Sequence, residues 1–279
     1  MIKDYLLIGT DLDLKFAIRF LCLNEAIKTT IQSHQIGNNL NTLICEFILG
    51  SVILGSRADQ QETTLFKLKF NNNPIMLNCE VSPRGEFRCA IFPWDKKDEY
   101  QNPPEGELRI TRLNRDNQVY ESILQIQKKG IINTFEHNLA NSEQSDSILL
   151  INTDDNQKHY SLWINKLPDT SIEDWESFTK NFTPKFFTEC LQKSADPDVI
   201  TKSLFKNGIK ILAVTKPKLF CNCNKERVIT GLKALPNEEL VELFMEAKGI
   251  ETQCEYCRKV WKVSDNEIKA LIKMSSSLH

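Results

Sequence analysis

The chain has 279 residues, 26% charged and 41% hydrophobic, with 35 Lys+Arg against 37 Asp+Glu for a net charge of −2. This is ordinary globular composition for roughly two domains of ~150 residues, and the near-neutral balance argues against a protein whose main task is to coat nucleic acid. Nine cysteines, an odd number, exclude a fully paired disulfide scaffold and point to a soluble protein in a reducing compartment.

At the start of the chain, Asp4, Asp11 and Asp13 interrupt what a secretory signal would need as an apolar stretch. Leu12, Leu14, Phe16, Ile18 and Phe20 alternate with Lys15 and Arg19, which predicts a half-buried strand. Asn24 to Gln32 reads as a helix that stops near Gly37-Asn38-Asn39, where an Asn can cap the next one. That second helix, from Leu40 to about Leu54, is apolar on most sides and belongs in the core. Its most apolar stretch, 47–56, is about half of the ~20 residues needed to span a bilayer, so no membrane partner is expected.

Residues 63 to about 165 read mainly as strands. Leu65, Lys67 and Lys69 alternate with Phe66, Leu68 and Phe70, and Asn71-Asn72-Asn73-Pro74 is a turn signal. Leu77, Cys79 and Val81 share one strand face, and Phe87, Cys89 and Ile91 share one on the next. Ser82-Pro83-Arg84-Gly85 between them fits a three-residue hairpin loop with Gly left-handed, which puts Cys79 opposite Cys89, both facing the core. Further strands are expected at 107–113, 120–127, 147–152 and 160–165, with a helix over 131–140. Strands plus helices in this pattern predict an α+β domain over residues 1–168. From Ser171 to about Asn207 the pattern is helical, with Trp175, Phe178, Phe182, Phe186 and Phe187 supplying aromatics and Pro184 and Pro197 interrupting; residues 169–216 read as a helical linker.

The remaining segment, 217–279, carries the chemistry. Cys221-Asn-Cys223 and Cys254-Glu-Tyr-Cys257 form two thiol knuckles separated by residues 224–253. Paired thiols of this kind converge on one tetrahedral Zn²⁺ through four thiolates at ~2.3 Å. The single-residue spacing of the first pair is unusual and therefore more diagnostic than the second. Lys225, Arg227, Arg258 and Lys259 lie beside the knuckles and are candidates to offset the thiolate charge. Asn237 can cap a helix to Lys248, with Gly249 as its stop and Leu240, Leu243, Phe244 and Ala247 as an apolar stripe; Val260, Trp261 and Val263 read as a strand, and Asp265 as the cap of a last helix. A unit this small has a thin core, so much of its folding free energy should come from the metal.

The four His (34, 137, 159, 279) have no ligand spacing with one another or with a Cys, and Cys190 has no basic partner in sequence, so an enzyme built on a Cys nucleophile is not expected. No Gly-rich phosphate loop is present, which disfavours ATP-driven chemistry. Cys22, Cys45, Cys79, Cys89 and Cys190 read as small buried hydrophobes. Between Lys218 and Lys273 basic and acidic residues nearly balance, so no phosphate-binding face is expected. The segment alone leaves two readings open: a regulatory zinc, or a constitutive interaction or nucleic-acid-binding protein with a purely structural zinc ribbon.

Phe220-Cys-Asn-Cys-Asn-Lys-Glu-Arg227, then Leu232-Lys-Ala-Leu235 with Glu238 and Glu239, then Cys254-Glu-Tyr-Cys257 closely resembles the C-terminal redox switch of the heat shock protein 33 family. Asp4-Tyr5-Leu6 with Gly9-Thr10, Thr64-Leu65 to Asn73-Pro74, Ser142-Glu143-Gln144 and Leu167-Pro168 extend the likeness over nearly the whole chain. It departs where the family usually has Gly: Asn71-Asn72-Asn73 precedes Pro74, and Tyr120-Glu121-Ser122 stands for Tyr-Gln-Gly. The resemblance implies a cytoplasmic, redox-regulated, ATP-independent chaperone. Its four C-terminal thiolates hold one Zn²⁺ when reduced. Oxidation would pair Cys221 with Cys223 and Cys254 with Cys257, release the zinc and unfold the zinc domain and linker. The chain would then hold unfolded or oxidatively damaged client proteins, with dimerisation accompanying activation.

Overall fold

Tyr5–Asp11 (β1) and Phe16–Cys22 (β2) pair as an antiparallel hairpin, with Tyr5 opposite Cys22. The strand expected over Leu12–Phe20 therefore starts later, because Leu12 and Leu14 lie in the turn, 60% and 56% exposed. The Asp11 carboxylate accepts the backbone N–H groups of Lys15 and Phe16, both at 2.7 Å, and so closes a turn that hydrophobic alternation runs straight through. Asn24–His34 (α1) is capped from outside its own sequence: the buried Asp4 carboxylate accepts the N–H groups of Glu25 and Ala26, each at 2.8 Å. Asn38–Gly55 (α2) follows, with Gly37 rather than an Asn at its N-cap, and its residues from Leu49 onward are buried on every side.

Thr63–Phe70 (β3), Met76–Val81 (β4), Glu86–Phe92 (β5), Gly106–Leu113 (β6) and Val119–Gln125 (β7) build an antiparallel sheet in which the chain crosses over after β5, so that β6 pairs with β3. Between β4 and β5 Gly85 takes φ 73°, the left-handed position of the short loop, and Cys79 stands opposite Cys89. The Asn73 side chain accepts from the Ile75 N–H at 2.9 Å, an Asn doing locally what a Gly-rich turn does by backbone freedom. Ser122 sits within the unbroken β6–β7 ladder, opposite Ile110.

Ile131–Asn141 (α3) leads to Ser147–Thr153 (β8) and His159–Lys166 (β9). Within the stretch expected as a helical linker, Ile172–Thr179 (α4), Pro184–Lys193 (α5) and Pro197–Leu204 (α6) are helices. Pro184 and Pro197 start helices rather than interrupt them: each follows a capping residue, Thr183 and Asp196, whose side chains accept backbone N–H groups of the first turn. Ile209–Thr215 (β10) is not helical; it adds to β1 as an antiparallel edge strand, and Lys218–Leu219 (β11) adds to β5 in parallel. The result is a five-stranded sheet, β10-β1-β2-β9-β8, and a six-stranded sheet, β11-β5-β4-β3-β6-β7.

The computed structural model describes residues 3–56, 62–71, 73–93, 95, 105–113, 119–127, 130–141, 146–154, 158–194, 196–205, 207–246 and 250–276. The chain divides into two units, Met1–Phe220 and Cys221–His279. In the first, α2 contacts strands of both sheets, and its apolar residues join Phe66, Leu77, Phe87, Phe135 and Trp163 in one core. The other face of the five-stranded sheet forms a second core. There Phe16, Ile18, Phe20, Tyr160 and Leu162 are covered by Phe182, Phe187, Cys190, Leu191, Ile200, Leu204 and Phe205 from the linker helices and the loops beside them. The architecture is α+β, with no described helix long and apolar enough to cross a membrane.

The second unit holds Lys225–Lys233 (α7), Asn237–Glu246 (α8), Ile250–Gln253 (β12), Val260–Val263 (β13) and Asp265–Ser276 (α9). β12 and β13 form a two-stranded antiparallel ribbon. The side chains of Asn237, Leu240, Leu243 and Phe244, together with Ala247 and Gly249, lie outside the described residues, as do Ser142-Glu143-Gln144.

Candidate metal centre

Three local devices set up the thiol knuckles. In the second knuckle, Cys254 O accepts from the Arg258 N–H and Cys254 N–H donates to Lys259 O, both at 2.9 Å, which folds 254–259 into a tight loop at the open end of the β12–β13 ribbon. Arg258 takes φ 61° there, and its guanidinium reaches Glu255 at 3.1 Å and the Gln253 side chain. In the first knuckle, the Asn224 side chain accepts from the Arg227 N–H at 2.8 Å and caps α7, so Cys221 and Cys223 lie just before a helix N-terminus. The Arg227 guanidinium turns back onto the Asn222 side chain and braces the residue between the two thiols. The third device ties the unit together. Glu267 accepts the N–H and hydroxyl of Ser264 at 2.9 and 2.7 Å, and ion-pairs with Lys225 at 2.7 Å, joining α9 to α7. Ser264, the residue before α9, stands at its N-cap position, and Glu267 reaches back to the Ser264 N–H as the acidic residue of a capping box does. That motif is present in the sequence and is the signal that finds both the cap and the Glu267 tie.

The four knuckle sulfurs converge: those of Cys221, Cys223, Cys254 and Cys257 all lie within 4.8 Å of one another. Across the two knuckles, Cys221 approaches Cys254 at 3.6 Å and Cys223 approaches Cys257 at 3.3 Å. All nine cysteines are free thiols. Tetrahedral Zn–S bonds of ~2.3 Å imply S···S near ~3.8 Å, whereas a disulfide requires ~2.05 Å; the cluster has the dimensions of the first arrangement. All four residues are partly exposed, so both ions and small oxidants reach them.

The thiols are not equivalent. For Cys254 burial works against ionisation, but the N–H groups of Cys257 and Tyr256 and the thiols of Cys221 and Cys257 outweigh it and hold Cys254 below its ordinary value of 9.0. Burial pushes Cys221 up, and it pushes Cys257 up to about 12 with help from the neighbouring thiols. A cation fits this donor set: four soft thiols in one small volume repel one another once ionised, and a thiophilic ion supplies the missing charge. The cations expected to offset thiolate charge have other partners. Lys225 pairs with Glu267, Arg258 with Glu255, and the Lys259 ammonium lies 4.2 Å from the Trp261 ring centre.

The remaining cysteines lie elsewhere. Cys22, Cys45, Cys79, Cys89 and Cys190 are buried. Burial pushes Cys22 and Cys45 up to about 12 and raises Cys190, which makes none of them a ready nucleophile.

Fold and site together define a two-unit α+β protein with a C-terminal centre of four thiols able to hold a metal ion. A family model described as Hsp33 protein matches residues 4–264. The 33 kDa chaperonin of Thermodesulfovibrio yellowstonii is 24% identical over 274 residues, covering 89% of this chain and 92% of its own length. That of Staphylococcus carnosus is 28% identical over 148 residues, half of each chain. The crystal structure of the 33 kDa chaperonin homologue from Thermotoga maritima superposes with a TM-score of 0.82 over 98% of this chain and 99% of the other, at 17% identity. The chain belongs to the Hsp33 family, a family of chaperones.

Proposed function

We propose that this protein is a redox-regulated, ATP-independent holdase, activated by oxidation of four zinc-bound cysteines. The observation that carries the reading is the convergence of Cys221, Cys223, Cys254 and Cys257 within 4.8 Å of one another. When bound, Zn²⁺ supplies a crosslink between the knuckles and keeps the sulfurs in the thiolate form that oxidants attack. Pairing of Cys221 with Cys223 and of Cys254 with Cys257 is taken from the family resemblance; the mutual nearness of all four sulfurs does not select it.

The working division is 1–168 as chaperone core, 169–216 as linker and 217–279 as redox switch. Loss of the knuckle crosslink unfolds the last segment, and the linker follows. That uncovers Phe16, Ile18, Phe20, Tyr160 and Leu162, a face of apolar side chains suited to unfolding client segments. Activation is accompanied by homodimer formation, and the site of action is the cytoplasm.

The test compares the reduced, zinc-loaded chain with the same chain after hydrogen peroxide under mild heat, or after hypochlorite. Suppression of aggregation of a thermally unfolding client by the oxidised form alone is expected. Equal suppression by both forms, or by neither, overturns the proposal in favour of a purely structural metal.

A further inference from the structure

The β4–β5 hairpin carries two cysteines that the thiol centre does not use. Counting from the Ser82–Glu86 pair, whose Ser82 N–H donates to Glu86 O at 2.8 Å, the antiparallel ladder alternates so that Cys79 and Cys89 fall at a non-hydrogen-bonded position. Directly opposed residues at such positions have Cα atoms about 4.5 Å apart, inside the ~4.4–6.8 Å window that disulfides occupy. The Cys89 thiol donates to Cys79 Sγ at 3.1 Å, a shorter sulfur contact than the 3.6 and 3.3 Å approaches between the C-terminal knuckles. Both side chains are in the core, Cys79 at 0% and Cys89 at 6% exposure.

We propose that Cys79 and Cys89 form a second dithiol–disulfide couple, internal to the folded core and independent of the metal centre. The oxidant is of the hydroperoxide class. Cys89, the more exposed of the two residues, takes an oxygen atom from hydrogen peroxide to give a sulfenic acid, and one water leaves. Cys79 Sγ then attacks that sulfur, the S–S bond forms, and the hydroxyl departs with the Cys79 proton as a second water. Two thiol hydrogens and two electrons pass to the peroxide in all. Burial pushes the Cys89 thiol well up and the neighbouring Cys79 thiol adds to it, so Cys89 stays protonated and the reaction is slow. The sulfurs need to close by only about 1 Å to reach bonding distance, which side-chain rotation supplies without breaking the ladder.

The couple sits where it can be felt beyond the hairpin. The outer edge of β5 pairs with β11, and Phe220 N–H donates to Phe87 O at 2.8 Å, two residues from Cys89 and one residue before Cys221. A crosslink here fixes the strand on which the chain docks as it leaves the first unit.

The test uses the full-length folded chain. It is exposed to hydrogen peroxide until the four C-terminal thiols are consumed, then for several further multiples of that time. Remaining thiols are alkylated in denaturant, and the chain is cut with trypsin without reduction. Cleavage at Lys69, Arg84, Arg88 and Lys96 separates the two cysteines into peptides 70–84 and 89–96, so a disulfide appears as their crosslinked product, two hydrogens lighter than the sum. The expected result is that product in more than half of the chains, with circular dichroism showing the sheets intact. Recovery of both peptides singly alkylated overturns the proposal. Cys89→Ala should abolish the product and return Cys79 as a free thiol; a variant that instead traps Cys79 on another cysteine in equal yield overturns it too. A chain with Cys221, Cys223, Cys254 and Cys257 all changed to Ser should keep the crosslink. Its loss there would make the couple dependent on the metal centre and contradict the independence claimed.

Discussion

Replacing Cys223 with Ser should unfold residues 221–279 while leaving 1–220 folded. Among the described side chains of the second unit, those buried are Val263, Ile268 and Leu271. At about 1.5–3 kcal/mol for each such side chain, they contribute roughly 5–9 kcal/mol. A structural zinc contributes an apparent ~10–16 kcal/mol in small metal-dependent units. Losing even about 4 kcal/mol of it raises the open population roughly 1,000-fold. The assay is limited trypsin digestion of Cys223→Ser beside the zinc-loaded parent, followed by mass. Cleavage at Lys225, Arg227 and Lys233 should accelerate by at least that factor, with a resistant fragment ending near residue 220. If Cys223→Ser, free of metal, is cut in its C-terminal unit no faster than the parent, the unit stands on its own core and the reasoning fails.

Other outcomes follow from the first unit. Phe187, 1% exposed, packs edge-to-face on Phe20 with ring centres 6.3 Å apart, so Phe187→Ala should cost about 3–5 kcal/mol in urea unfolding and raise dye binding to apolar surface without any oxidant. Gly85→Ala forces a side chain into φ 73°, and should lower stability by about 1–2 kcal/mol, read as a shift in the urea midpoint at constant slope. His159 is buried, and burial holds its imidazole below the ordinary 6.5, with Asp154 partly opposing. The unfolded chain therefore binds the extra proton first. Stability should be fully present above pH 6.5 and fall as pH drops below it, by at most about 1.4 kcal/mol per pH unit for this one group. His159→Gln should flatten that slope in urea midpoints taken between pH 5.5 and 7.5; an unchanged slope would assign it to other groups.

Some of this was plain in the residues and some was not. The thiol centre was legible because its four donors lie in two short motifs, so local spacing alone limits what they can do. The Cys79–Cys89 register was legible for the same reason: Ser82-Pro83-Arg84-Gly85 sets the loop, and the period of two does the rest. Strands β10 and β12 were not legible. β10 is an edge strand whose residues are mostly exposed, so it lacks a buried face to print an alternation, and its place beside β1 depends on a partner some 200 residues away. The turn at Leu12–Leu14 was hidden because two exposed leucines continue the alternation, while the group that closes the turn, Asp11, signals nothing about period. Nor does sequence say that linker aromatics cover β2 and β9; helical spacing reveals an apolar stripe but not what it lies against.

If the thiol centre is the switch, metal loss and the gain of chaperone activity are one event. The measurement is a single time course on the zinc-loaded chain under peroxide and mild heat, with released zinc read by a colorimetric chelator and client aggregation read by light scattering from samples drawn at the same times. The fraction of zinc released and the fraction of aggregation suppressed should rise together, and Cys223→Ser should suppress aggregation before any oxidant is added. Full zinc release with aggregation unchanged, or suppression complete while zinc is still bound, would contradict it.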